Sequence, residues 1–231
     1  MTIEMEGITI DATIKQVKTL RLYVTRSGEA KLTIPSTMSS QEVYEFVHKN
    51  IEWLKENIAR SIEHLQEEKE MLIHNMTEGE AFHYLGQKLK LHYEQYDGPI
   101  KVEISDGQLI VSSNRPLAPE QAKIIISNWY ADNLKRIIKD YLEYWLPIMF
   151  ERPLTKVVLK NWKSRWATMQ PAKRIASFNI RLIFYPLQAI ETIVVHELCH
   201  LKEPSHNAYF HHLMAYYLPN YKEGEALLKR K

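Results

Sequence analysis

Five residues near the end of this 231-residue chain, His196-Glu197-Leu198-Cys199-His200, place two imidazoles and a carboxylate at a spacing suited to metal chemistry. On a helix, residues four apart share one face, a turn apart. Both imidazoles can therefore hold one ion, while Glu197, set further round the axis, reaches a water beside it. His206 follows His200 after five residues, with Glu203-Pro204 in between. Proline disfavours helix in the residue before it, so the helix is expected to end near Leu201–Lys202 and the chain to turn back, making His206 a third ligand. Three protein ligands with an open position is the catalytic arrangement for zinc. The expected chemistry is hydrolysis at one Zn2+ ion held by His196, His200 and His206. Zinc would acidify a water, Glu197 would act as general base and later as proton donor to the leaving group, and a protein group would help hold the oxyanion. Arg165, Tyr185 and Tyr209 are candidates for that last role by residue type. Asn179 is a candidate to orient a ligand histidine, or else a residue at a strand end. Cys199 points off the ligand face and is expected to be a small buried residue. His211 and His212 are expected on a following helix, not among the ligands.

The rest of the chain must place these residues. Ile190, Ile193, Val194 and Val195 make the motif helix apolar on several sides, as in a buried helix. Before it, Lys156–Leu159, Ser164–Thr168 and Arg174–Asn179 read as three short strands. A stripe from Ile125 through Trp129 and Ile138 to Trp145 follows Pro119 at helical spacing, which makes Pro116–Pro119 the expected boundary between a 1–115 subdomain and a 116–231 catalytic subdomain. In the first of these, Ile8–Ile14, Leu20–Val24 and Ala30–Ile34 alternate as strands, with a hairpin turn at Ser27-Gly28. Ser39 and Glu42 open a helix with a capping-box pattern, and its apolar stripe runs from Val43 to Leu65 before the charges at 67–70. Strands return over 80–112, punctuated by Gly86, Asp97-Gly98 and Asp106-Gly107. His64, His74, His83 and His92 show no ligand spacing and read as surface or edge-strand residues. No internal repeat is evident. The fold class is α+β: an antiparallel, β-rich N-terminal part with a helix, then a second subdomain carrying a buried HExxH helix.

Composition narrows the function. A net charge of +2 does not mark the chain as a nucleic-acid binder, and no apolar run reaches membrane-spanning length. The start, Met1-Thr-Ile-Glu-Met-Glu, lacks the layout of a secretory signal, and the single cysteine excludes an intrachain disulfide framework. A cytoplasmic protein is expected. Residues 152–190 contain no carboxylate but carry Arg152, Lys156, Lys160, Lys163, Arg165, Lys173, Arg174 and Arg181. Most of these read as solvated strand edges. Together they can also form a positive rim able to hold a carboxylate or a phosphate backbone.

Metzincins share the interval between the second and third histidines but place glycine midway, where this chain has Glu203, a poor left-handed residue. A different resemblance is specific. His196-Glu-Leu-Cys-His200, Leu201-Lys-Glu-Pro-Ser-His206 and Tyr209-Phe210 resemble the YgjP-like metallopeptidase family (DUF45), as do Ser164-Arg165-Trp166 upstream and Asn179 shortly before the helix. The N-terminal hairpin, the Trp53-Leu54 helix and the Gly86 turn look like that family too. The resemblance implies a zincin-like fold related to the SprT and WLM metalloproteases, with Ser164-Arg165-Trp166 bordering the cleft. Ala167-Thr168-Met169 departs from the family's Gly-Ser-Cys, Ser205 and Asn207 from its Asn and Ser, and His211 from its Trp. The departure at 167–169 leaves specificity open.

A zinc-dependent peptidase acting on a peptide or protein is thus the leading expectation. One alternative is a metal-stabilised binding module for nucleic acid or protein with little turnover, using the basic 152–181 stretch. Another is a hydrolase of non-peptide amides or esters. Oligomeric state is open, and no membrane partner is expected.

Overall fold

A computed structural model describes residues 1–25, 27–72 and 74–229, the side chains of residues 63–72 and 229 excepted. His64, Leu65 and the charges at 67–70 lie among those excepted side chains. Residues 1–73 and 74–230 form two compact units.

The first unit is a four-stranded sheet and a helix pair. Its strands are β1 (Thr2–Met5), β2 (Ile8–Lys15), β3 (Arg21–Val24) and β4 (Ala30–Pro35), in spatial order β1-β2-β4-β3. The outer pairs are antiparallel, and β2 runs parallel to β4. The hairpin of β3 and β4 is the expected one; β1 was not expected. It is joined to β2 by Glu6-Gly7, both at positive φ (49° and 79°), the turn whose twist matches a two-residue hairpin. Helix α1 (Ser40–Lys49) opens on the expected capping box: Glu42 N–H donates to Ser39 Oγ (3.3 Å) and Ser39 N–H to Glu42 Oε2 (2.8 Å). The stripe read as one helix is broken at Asn50, whose side chain donates to the Phe46 carbonyl (2.8 Å), and α2 (Ile51–Leu72) follows. Ile10, Leu32, Val47 and Leu54 close the core between sheet and helices. Burying each is worth about 1.5–3 kcal/mol.

The second unit begins with the same plan. Strands β5 (Ala81–Tyr84), β6 (Gln87–Gln95), β7 (Lys101–Ser105) and β8 (Gln108–Ser113) lie in the order β5-β6-β8-β7, again with a parallel central pair, and α3 (Pro119–Ile148) follows. The chain therefore contains a repeat of topology, contrary to the expectation of none. Hairpin turns coincide (Glu6-Gly7 with Leu85-Gly86), and so do inward residues: Ile10 and Ala12 correspond to Leu89 and Leu91, Leu32 and Ile34 to Leu109 and Val111, all buried. Few identities are shared because the register demands only small or apolar residues at alternate positions. The expected 115/116 boundary falls inside this unit, at the entry to α3. His74 is not a surface residue: it stacks on Phe82 at 3.8 Å and meets Glu80 at 3.2 Å.

Next come β9 (Lys156–Lys160), β10 (Ala167–Gln170) and β11 (Ile175–Asn179), in order β10-β11-β9, β10 antiparallel and β9 parallel to β11. The middle strand of the three begins three residues later than expected. Ser164, Arg165 and Trp166 therefore stand in the loop before it. A 3₁₀ turn, Ile180–Phe184, leads into α4 (Leu187–Cys199), with α5 (Ala208–Tyr217) and α6 (Tyr221–Lys229) after it. Helix α4 packs against α3, α5, α6 and β10. The repeat grips this arrangement through its turn: Leu85 and Gly86 N–H donate to the carbonyls of Ile183 (2.8 Å) and Phe184 (3.1 Å). Trp145 Nε1–H donates to Glu191 (3.1 Å), tying α3 to α4.

Gly224 sets the approach of α6 to α4. A Cβ there would lie 2.0 Å from Thr192 Oγ1 and 3.0 Å from the Gln188 carbonyl, and Thr192 is buried and bonded to that carbonyl (2.8 Å). Gly224→Ala gains about 1 kcal/mol in helix propensity but must displace backbone, an overpacking cost of about 1–3 kcal/mol or more. Urea unfolding should show a net loss of stability; a gain would mean that α6 moves aside freely. Among the described residues, no helix is long and apolar enough to cross a membrane.

Candidate metal centre

Helix α4 is buried along Ala189, Ile190, Thr192–Val195 and Glu197–Cys199, while His196 and His200 are half-buried at its C-terminal end. The helix stops at Cys199, two residues before the expected end, with His200 as its still-helical cap (φ −66°, ψ −14°). The reversal needs no left-handed residue at Glu203. Lys202 and Glu203 N–H both bond the Cys199 carbonyl (3.0 and 2.9 Å). The Glu203 carboxylate then accepts from the Ser205 amide (3.0 Å) and hydroxyl (2.7 Å), which hold it below the usual carboxylate range. Asn207 caps α5 by accepting from Phe210 N–H (3.0 Å). The turn thus returns the chain to its own helix with His206 at the far side.

The three histidines come together as expected, their nearest ring nitrogens all within 4.8 Å of one another. His206 Nε2 lies 3.0 Å from His196 Nε2. These two nitrogens are close enough to share one ion, with His200 completing the group. His200 Nδ1 meets the Glu203 carbonyl at 3.0 Å. A carbonyl only accepts, so Nδ1 carries the proton and Nε2 keeps its lone pair for an ion. Burial, then the like charges of His200, His206 and His211, push the His196 pKa down to about 3. Burial likewise lowers His200, with the Glu203 carbonyl pulling the other way. Neutral imidazoles are what a divalent cation requires.

Glu197 is 4% exposed, and its Oε2 has no hydrogen-bond partner among the described residues. Burial raises its pKa to about 8; a nearby cation would favour the ionised form. A donor set of three imidazoles with an unsatisfied carboxylate beside it fits a bound metal ion. Phe210, quoted above only as part of a pattern, proves central: its ring centroid lies 4.7–4.8 Å from those of His196, His200 and His206, and the residue is 1% exposed. Its signal in the sequence was weak, one aromatic four residues after the third histidine. Cys199 is buried as expected, and its thiol pKa is pushed up to about 12 by burial. His211 lies on α5 as expected, its Nδ1 3.4 Å from the Tyr221 hydroxyl.

Other expected site residues are placed less directly. Asn179 Nδ2 donates to the carbonyls of Trp162 and Arg165 (2.8 Å each), and Oδ1 accepts from Arg181 N–H (3.2 Å). Its amide therefore moors the loop carrying Arg165. Arg165 is exposed and lies over the Trp162 ring at 5.7 Å. Trp166 packs edge-on to the buried Tyr185 at 4.9 Å. Tyr209, on the first turn of α5, is 54% exposed.

A family model for the YgjP-like metallopeptidase domain matches residues 18–231. The chain belongs to the YgjP-like metallopeptidase family. In this YgjP-like chain the three-histidine cluster is, among the described residues, a group that could hold the metal ion such a family implies. No curated protein matches it. Among solved structures it is similar to the metallopeptidase zymogen of Pyrococcus abyssi abylysin, at 24% identity over 38% of this chain and 89% of that one, with a TM-score of 0.36.

Proposed function

We propose that this YgjP-like chain is a zinc-dependent peptidase that cleaves peptide bonds of a peptide or protein substrate, with Glu197 as general base. What carries the reading is the buried Glu197 carboxylate, unsatisfied at Oε2, on the same helix as two of three converging imidazoles. A metal-stabilised binding module has no use for such a carboxylate. Imidazole-rich sites suit zinc among the available divalent ions, and a zinc ion bound there would polarise a carbonyl and acidify water. Glu197 accepts the proton of the attacking water and delivers it to the leaving amine. His200, fixed by the Glu203 carbonyl, and His206, fixed by the turn, hold their ligand nitrogens in place. Arg165, Tyr185 and Tyr209 are the proposed donors to the developing oxyanion; Tyr209 is favoured because it is exposed and next to Phe210. Trp166, edge-on to Tyr185, is proposed to line the substrate groove.

Metal removal tests the reading. Purified protein should contain about one zinc per chain and hydrolyse members of a quenched-fluorescence peptide library. Chelation should abolish that activity and stoichiometric zinc restore it. Cleavage that survives complete removal of metal would overturn the proposal.

A further inference from the structure

Strand β9 is the edge of its sheet remote from β10, and among the described residues no strand pairs with its outer side. A free strand edge is a template for another extended chain. Lys156 and Lys160 are both exposed, and Val157 between them is 38% exposed. Side chains alternate along a strand, so Lys156, Val158 and Lys160 share one face, with the two ammonium-bearing residues about 13 Å apart.

The charge around this edge is one-sided. The whole sheet comes from the carboxylate-free span 152–190. Arg174 is used internally: it pairs with Glu151 at 3.0 Å and donates to the Arg152 and Pro153 carbonyls. Arg181 is buried. The remaining exposed cations gather at the two ends of β9. Lys156 is in register with Ile175, just beyond the turn bearing exposed Lys173. Lys160 is in register with Asn179, whose amide holds the loop bearing exposed Arg165.

A second copy of the chain fits this edge poorly. Antiparallel self-pairing centred on Val158 would set Lys156 opposite Lys160 twice, and directly opposed like charges destabilise a ladder. An acidic strand has the reverse relation. We propose that the outer edge of β9 docks an extended acidic polypeptide segment, with carboxylates four residues apart facing Lys156 and Lys160 and apolar residues between them covering Val157. Backbone bonds would supply affinity and the two lysines selectivity.

The proposal concerns binding alone, so it stands or falls separately from hydrolysis. A fluorescein-labelled peptide containing Glu-Val-Thr-Val-Glu is titrated by anisotropy at low salt, with its integrity checked by mass spectrometry. A second peptide replaces both Glu by Lys. The wild type should bind the acidic peptide at least tenfold more tightly, and the double variant K156E/K160E should reverse that preference. Amides at 156–160 should gain protection from hydrogen exchange when the acidic peptide is bound. Equal affinity for both peptides, or no binding, would leave the lysines as guards of the edge and overturn the proposal. Tighter binding of a single-stranded oligonucleotide, without protection at 156–160, would overturn it in favour of a phosphate-binding face.

Discussion

Glu197→Gln should retain zinc at wild-type stoichiometry and affinity while losing about 10²–10⁴-fold in hydrolytic rate, the range expected when a positioned general base is removed. The substitution is isosteric, so packing around α4 is kept. It also replaces a carboxyl whose burial pushes its pKa up to about 8 by a group that never ionises, so the variant should be no less stable than the wild type. Stability equal to or above wild type, with metal bound and turnover gone, is a combination that a purely structural glutamate would not give. Metal content by elemental analysis, thermal unfolding and peptide hydrolysis read the three quantities separately. Unchanged hydrolysis in the zinc-loaded variant would remove Glu197 from the chemistry.

Phe210→Ala should be the most damaging single change at the cluster. The ring is nearly inaccessible and touches all three histidine rings at 4.7–4.8 Å. Deleting a buried aromatic costs about 3–5 kcal/mol, and the space left lets each imidazole leave its rotamer. Zinc affinity should fall about 10–100-fold, the scale seen when the supports of metal ligands are lost. Phe210→Leu keeps most of the apolar volume and separates the two effects. If the flat ring aligns the imidazoles, Phe210→Leu should fold well and still bind zinc more weakly in competition with a chromogenic chelator. It should also show an altered visible spectrum when loaded with cobalt. Wild-type affinity in a folded Phe210→Leu would reduce the ring to packing.

The three-histidine cluster was legible because its rule is local: two histidines a helical turn apart and a third beyond a proline-marked turn leave few alternatives. The hairpins at Gly86 and Asp106-Gly107 were legible for the same reason, since φ above zero selects residue types. What escaped depends on contacts distant in sequence. Trp166 and Arg165 were read as strand, yet the strand starts at Ala167, because Asn179 captures the Trp162 and Arg165 carbonyls and holds that stretch as a loop. Asn50 breaks an apolar stripe whose spacing is unbroken, which periodicity cannot reveal. The repeat was hidden because parallel pairing of β2 with β4, and of β6 with β8, constrains which residues point inward and says little about their identity.

That repeat carries its own control experiment. Gly7 and Gly86 occupy equivalent turns at nearly the same φ, 79° and 82°. A Cβ on Gly7 meets nothing within 4 Å among the described residues, whereas one on Gly86 would sit 2.7 Å from Pro186 Cγ, at the threshold of α4. Alanine at either position imposes the same backbone strain, but only at Gly86 does it also press on Pro186, which leads into α4. Subtracting one from the other isolates what the hairpin's seat contributes, a thermodynamic difference that the repeated topology makes measurable within a single chain.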